Sequence, residues 1–95
     1  MVEKDNVIFV GKKPIMSYVF AIITQFTNGQ KEVHIKARGK AISRAVDVVQ
    51  VLQRRFMQDV KVKNIQIGSE LKDRTLQDGK VVKVNVSTID ITVEK

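Results

Sequence analysis

The feature that most limits what this chain can become is a four-residue corner, Gly11-Lys12-Lys13-Pro14. It joins a short apolar run, Val7-Ile8-Phe9-Val10, to a segment with helical spacing that begins Ile15-Met16-Ser17-Tyr18-Val19-Phe20. A continuous apolar run of that length reads as a strand buried on both faces. Proline fits the first turn of a helix, where its missing N–H costs nothing. The chain must therefore accommodate a strand that turns at once into a helix. Such a corner leaves backbone N–H groups unpaired at the positive end of the helix dipole, and this one carries two lysines. The combination favours an anion, with phosphate the best match.

Beyond the corner, Ile15, Met16, Val19, Phe20, Ile23 and Phe26 keep helical spacing up to Asn28-Gly29, a stop signal. The stretch Lys31 to Ala37 alternates and reads as a strand with Val33, Ile35 and Ala37 inward. Arg38-Gly39-Lys40 forms a second basic corner. A longer helix follows from Ala41, with Ile42, Ala45, Val46, Val49, Leu52 and Phe56 as its apolar stripe. Arg54 and Arg55 fall in its last turn, where cations complement the dipole.

Two strands remain, Val60 to about Leu71 and Val81 to Val93, joined near Asp78-Gly79, a strong hairpin signal. In each of them the apolar positions change parity. Val60 and Val62 give way to Ile65 and Ile67; Val82, Val84 and Val86 give way to Ile89, Ile91 and Val93. Side chains alternate with period two, so each change marks a bulge or a switch of buried face. Residues 71–84, with Lys72, Arg74, Lys80 and Lys83, read as a basic arm projecting from a base packed on the core. An ordinary exposed hairpin with solubilising lysines fits the pattern equally. Two-stranded ribbons enter DNA grooves, which gives the arm a physical use.

The order strand, helix, strand, helix, strand, strand predicts an α/β (α+β two-layer) fold, β-α-β-α-β-β. Right-handed crossovers place both helices on one face of a four-stranded mixed sheet, and the other face lacks a helical cover. Ninety-five residues make one domain, 1–95, with a modest core that association would help to complete, so a dimer is expected. Seventeen Lys+Arg against ten Asp+Glu give a formal charge of +7, which favours polyanions through phosphate neutralisation and counterion release. A merely basic, soluble surface is the alternative that charge alone leaves open. The absence of cysteine removes disulfides and thiolate chemistry. The charged start Met1-Val2-Glu3-Lys4-Asp5 does not resemble a signal peptide, and no apolar run reaches membrane-spanning length. The expectation is a cytoplasmic protein without a membrane partner.

The stretches Asn6-Val-Ile-Phe-Val-Gly-Lys-Lys-Pro14, Ile35-Lys-Ala-Arg-Gly-Lys-Ala-Ile-Ser43 and Val86-Ser-Thr-Ile-Asp-Ile91 resemble the Alba family of archaeal chromatin proteins. The similarity runs from Asn6 to Glu94 in the same order of elements, and the two basic runs are specific when found together. It implies a fold like the C-terminal domain of translation initiation factor 3. It also implies a homodimer, or a heterodimer with a paralogue, that coats and compacts double-stranded DNA with little sequence preference and binds RNA. A place on the chromosome, in the nucleoid, follows from that.

The resemblance assigns central phosphate contacts to Lys12 and Lys13. Lys12 matches a lysine that is acetylated in some relatives, and acetylation would delete one cationic contact. Arg38, Lys40 and Arg44 match the family's basic surface, and Arg74, Lys80 and Lys83 match arms thought to reach the minor groove. Phe56 matches an aromatic position between neighbouring dimers, although its helical spacing equally makes it core.

Other chemistries find little support. Gly11-Lys12 lacks the upstream glycine spacing of a P-loop. His34 is the only histidine, so a metal site is not expected, and no cofactor is implied. Tyr18 and the four phenylalanines fall mostly at helical core spacing, which does not suggest stacking on splayed bases. No cysteine nucleophile, serine with a base, or acid–base carboxylate cluster is evident, so an enzyme is not expected. The competing expectation is an RNA-binding subunit of a ribonucleoprotein such as ribonuclease P.

Overall fold

The computed structural model describes residues 2–4 and 6–95, the first stretch as backbone only. The apolar run after Asn6 forms β2, Val7–Phe9, and Pro14 caps the first helix, α1, Ile15–Thr27. Ahead of them a short strand, β1, Val2–Lys4, pairs antiparallel with β2. Asn28 closes α1, and the alternating stretch becomes β3, Glu32–Arg38. A 3-10 turn, Gly39–Ala41, leads into α2, Ile42–Val51, which continues as a π-helical turn, Leu52–Phe56. The i to i+5 bond from Met57 N–H to the Leu52 carbonyl, at 2.8 Å, closes that turn. The chain ends in a long hairpin of β4, Lys61–Thr75, and β5, Val81–Glu94.

The sheet order is β1-β2-β3-β5-β4. The four expected strands and two helices are present, and β1 adds a fifth strand at the edge beside β2. Strands β2 and β3 run parallel, and β5 pairs antiparallel with both β3 and β4. One face of the sheet, through Ile8, Val33, Ile35, Ile91 and Val93, packs on Val19, Ile22 and Phe26 of α1 and on Ala45, Val48 and Val49 of α2. Burying a side chain of this kind is worth about 1.5–3 kcal/mol, which is why the inward parity of β3 is strictly kept.

Three details depart from the expected pattern. Phe9 is 45% exposed, so β2 is not buried on both faces. In α2, Val48 joins the buried stripe, whereas Val46 and Phe56 stay exposed. Phe20, counted with the core stripe of α1, is exposed as well, and its ring meets Phe56 edge to face with centroids 5.8 Å apart. These aromatics bridge the two helices on their outer side, which the sheet cannot reach.

The two parity changes have different causes. Between Val62 and Asn64 the register slips against β5, so Lys63 is a bulge residue. Its ammonium reaches across β5 to Glu32 on β3, and that hydrogen bond holds the Glu32 carboxyl below its ordinary pKa. In β5 no bulge intervenes, and the change records a transfer of burial. Ile91 and Val93 face the helices, whereas Val84 and Val86 lie on the opposite face of the hairpin. The hairpin closes through Leu76 N–H to the Lys80 carbonyl (2.7 Å) and Lys80 N–H to Asp78 Oδ1 (3.0 Å). Gly79 there has φ of +86°, a conformation costly for any residue with a Cβ.

Candidate nucleic-acid interface

The first corner is a braced loop. Tyr18 lies one turn into α1 and is only 2% exposed, yet its hydroxyl oxygen accepts from the N–H of Gly11 (2.9 Å) and the N–H of Lys13 (3.1 Å). Two N–H groups expected to be free for an anion are thus already paired. From the other side, the Arg44 guanidinium donates to the carbonyl of Gly11 through Nε (2.9 Å) and to the carbonyl of Lys13 through Nη2. Tyr18 and Arg44 together satisfy two donors and two acceptors of one short loop. Lys12 and Lys13 remain exposed at its crest, and neither enters an ion pair among the described residues.

The second corner stands beside the first. Arg38 ends β3, and Gly39, with φ of +57°, turns the chain into the helix so that Lys40 projects at the bend. Of the eight cations expected from the sequence, Lys12, Lys13, Arg38, Lys40 and Arg44 line one open hollow at this end of the sheet. The remaining three, Arg74, Lys80 and Lys83, lie outside its lining, on the hairpin. They divide further. Arg74 pairs in register with Val82 and shares the helix-free face with Lys72, whereas Lys83 pairs with Asp73 on the opposite face, Nζ to Oδ1 3.6 Å. Lys80 sits in the turn.

Not every cation faces solvent alone. Arg38 Nη1 donates to Glu70 Oε1 at 3.0 Å, and Lys72 lies 3.8 Å from the same oxygen. On the helix-free face, Lys36 is 3.7 Å from Asp90 Oδ2, and Asp90 Oδ1 lies 3.1 Å from His34 Nδ1. Thr92 Oγ1 is 3.1 Å from the same nitrogen, so His34 is a satisfied polar side chain of the sheet. Lys36 and Phe9 also line the hollow, and neither was marked by the sequence as a site residue. Alternation in β3 does place Lys36 on the outward parity, which was the one signal available.

Among the described residues no group of three or more His, Cys, Asp or Glu could hold a metal ion, and no helix is long and apolar enough to cross a membrane. The arrangement is suited to anions spaced along a polymer. It gathers cations from two corners onto one surface, with a ribbon leading away from it.

The comparisons with known proteins agree with this geometry. The Alba family model matches residues 6–69. A "DNA/RNA-binding protein Alba" from Methanocella arvoryzae is 53% identical over 92 residues, covering 97% of this chain and 92% of that one. A "DNA/RNA-binding protein Alba 1" from Archaeoglobus fulgidus is 50% identical, covering 96% and 97%. The solved structure of Alba from Thermoplasma volcanium superimposes with a TM-score of 0.81 at 44% identity, over 95% of this chain and all of that chain. That of ALBA1 from Trypanosoma brucei gives 0.77 at 28% identity, over 99% and 72%. On this match of sequence and fold over nearly its whole length, the chain belongs to the Alba family.

Proposed function

We propose that this chain grips nucleic-acid backbones without sequence preference, as a dimer that coats and compacts chromosomal double-stranded DNA and takes RNA on the same surface. The observation that carries the reading is the convergence of Lys12, Lys13, Arg38 and Lys40, from two separate strand–helix corners, on one hollow. A set of cations on a braced scaffold recognises phosphates by position and charge, with little means of reading bases. The relatives' printed names, which join DNA and RNA, support the same ligand class. Residues 1–95 act in this reading as one unit, with residues 71–84 as an arm that carries Arg74, Lys80 and Lys83 along the duplex. Lys12 is the position at which acetylation would weaken the grip, and exposed Phe56, with Phe20, is a contact between neighbouring dimers.

Duplex affinity should fall steeply with salt, by about 0.9 log units per log salt for each phosphate neutralised. Lys12→Ala removes one contact per protomer and should flatten the slope by about two for a dimer. An unchanged slope and affinity would remove the corner from the interface. Because the relatives' names also carry RNA, duplex DNA, duplex RNA and folded RNA of equal length should be compared at one salt concentration. A clear preference for folded RNA would replace the chromatin role with that of a ribonucleoprotein subunit.

A further inference from the structure

Phe9 is the one large apolar side chain of β2 that the core does not take. Its neighbours Ile8 and Val10 are buried, whereas the Phe9 ring is 45% exposed on the helix-free face. Across the sheet it stands in register with Lys36, and then with Asp90 and Gln66. The next row is Arg38, Thr88 and Gly68. Gly68 adds no side chain to the lining, and a Cβ at that position would stand 3.2 Å from Thr88 Oγ1. Lys36, in register with Phe9, lies 3.7 Å from Asp90 Oδ2, and Lys12, Lys13 and Lys40 line the same hollow.

An exposed aromatic ring among the cations of one hollow matches one ligand chemistry above others, an unpaired nucleobase whose neighbouring phosphates meet those cations. Duplex backbone makes no use of such a ring, because paired bases keep their faces stacked on each other. The ring also has no partner from this chain's own helices, which lie on the other side of the sheet. We propose that Phe9 is a base-stacking residue, and that the hollow binds single-stranded nucleic acid in addition to duplex backbone. The inference rests on the nucleic-acid reading of the same surface and names a second class of ligand for it.

The chain contains no tryptophan, so Phe9→Trp introduces a single reporter at the site. Binding of short oligouridylate, oligothymidylate and a DNA duplex of equal length should be measured for the full chain and for Phe9→Ala, Phe9→Leu and Phe9→Trp. Phe9→Ala and Phe9→Leu should weaken single-strand binding roughly tenfold and duplex binding by clearly less, about two- to threefold, since the ring lines the hollow both ligands use. Phe9→Trp should retain single-strand binding, and its fluorescence should be quenched on saturation by single strands but not by duplex. Loss in both oligonucleotides assigns stacking irrespective of the sugar, and loss in one alone restricts the ligand to that strand type.

Equal losses for single strands and duplex, or none for either, would overturn the proposal. So would a weaker dimer in Phe9→Leu, since the ring would then be a protein contact. Lys12→Ala serves as the control for the underlying reading. If it weakens all three ligands while the Phe9 variants change nothing, stacking fails and the backbone grip stands; if it weakens none, the interface itself fails.

Discussion

Tyr18 does two jobs with one side chain. Its ring fills the core between α1 and the sheet, and its hydroxyl holds the N–H groups of Gly11 and Lys13. Tyr18→Phe keeps the ring and orphans both donors, which should cost about 1–3 kcal/mol in urea unfolding. It should also weaken duplex binding, because the loop that presents Lys12 and Lys13 loses its brace. A variant with full duplex affinity and wild-type stability would show that the brace is dispensable. Helical spacing identified Tyr18 only as core, since periodicity reports which way a side chain points and not what its polar end meets. Arg44 was legible as part of the basic surface, but its bonds to carbonyls more than thirty residues earlier carry no local signal. Phe9 was misread for a related reason. A run of four apolar residues has no internal contrast, so nothing in it says which face lacks a cover.

Among the elements, the hairpin was the most readable. The parity change at Val62 to Ile65 located the bulge, and Asp78-Gly79 located the turn, because both signals arise from local backbone geometry. Strand β4 was expected to end near Leu71 and runs on to Thr75, since paired strands continue where no side-chain pattern demands it. The short β1 carries too few residues for any periodicity. Nearly all of β4 is exposed, so the arm contributes little to the core. Replacing residues 71–84 with a short turn should therefore leave the thermal unfolding midpoint within a few degrees while weakening DNA binding and reducing its salt slope, measured by anisotropy across a salt series. Loss of the dimer in that variant would make residues 71–84 an assembly element instead.

The radius of gyration of the whole molecule is 15.0 Å, against about 12 Å for a compact chain of this length. The difference comes from the hairpin, which stretches the long axis to 50 Å. A chain so drawn out keeps a small core, and it leaves Ile65 and Ile67, at the base of the hairpin and outside residues 71–84, exposed on the helix side of an edge strand. A row of this kind invites a partner. We propose a second copy of the chain as that partner, consistent with the dimer expected from core size. Ile67 is 83% exposed, so Ile67→Lys should change the stability of one protomer by less than about 0.5 kcal/mol. The same substitution should shift the sedimentation coefficient from dimer to monomer at equal concentration. A variant that sediments unchanged would place the dimer contact elsewhere. The whole-molecule shape was only partly legible, because the burial of an edge strand depends on which other surface meets it.

The braced corner has a consequence in time as well as in space. A loop whose backbone is already tied to Tyr18 and Arg44 leaves only the lysine side chains to order when a ligand arrives, so capture incurs little main-chain entropy and involves no slow backbone rearrangement. Encounter then becomes the limiting event. With a charge of +7 steering it, association at low salt should approach the range of about 10⁸–10⁹ M⁻¹s⁻¹. Differences in residence would then arise almost wholly in how fast the two surfaces part, and a protein of this kind could be redistributed along a polymer without first being unmade.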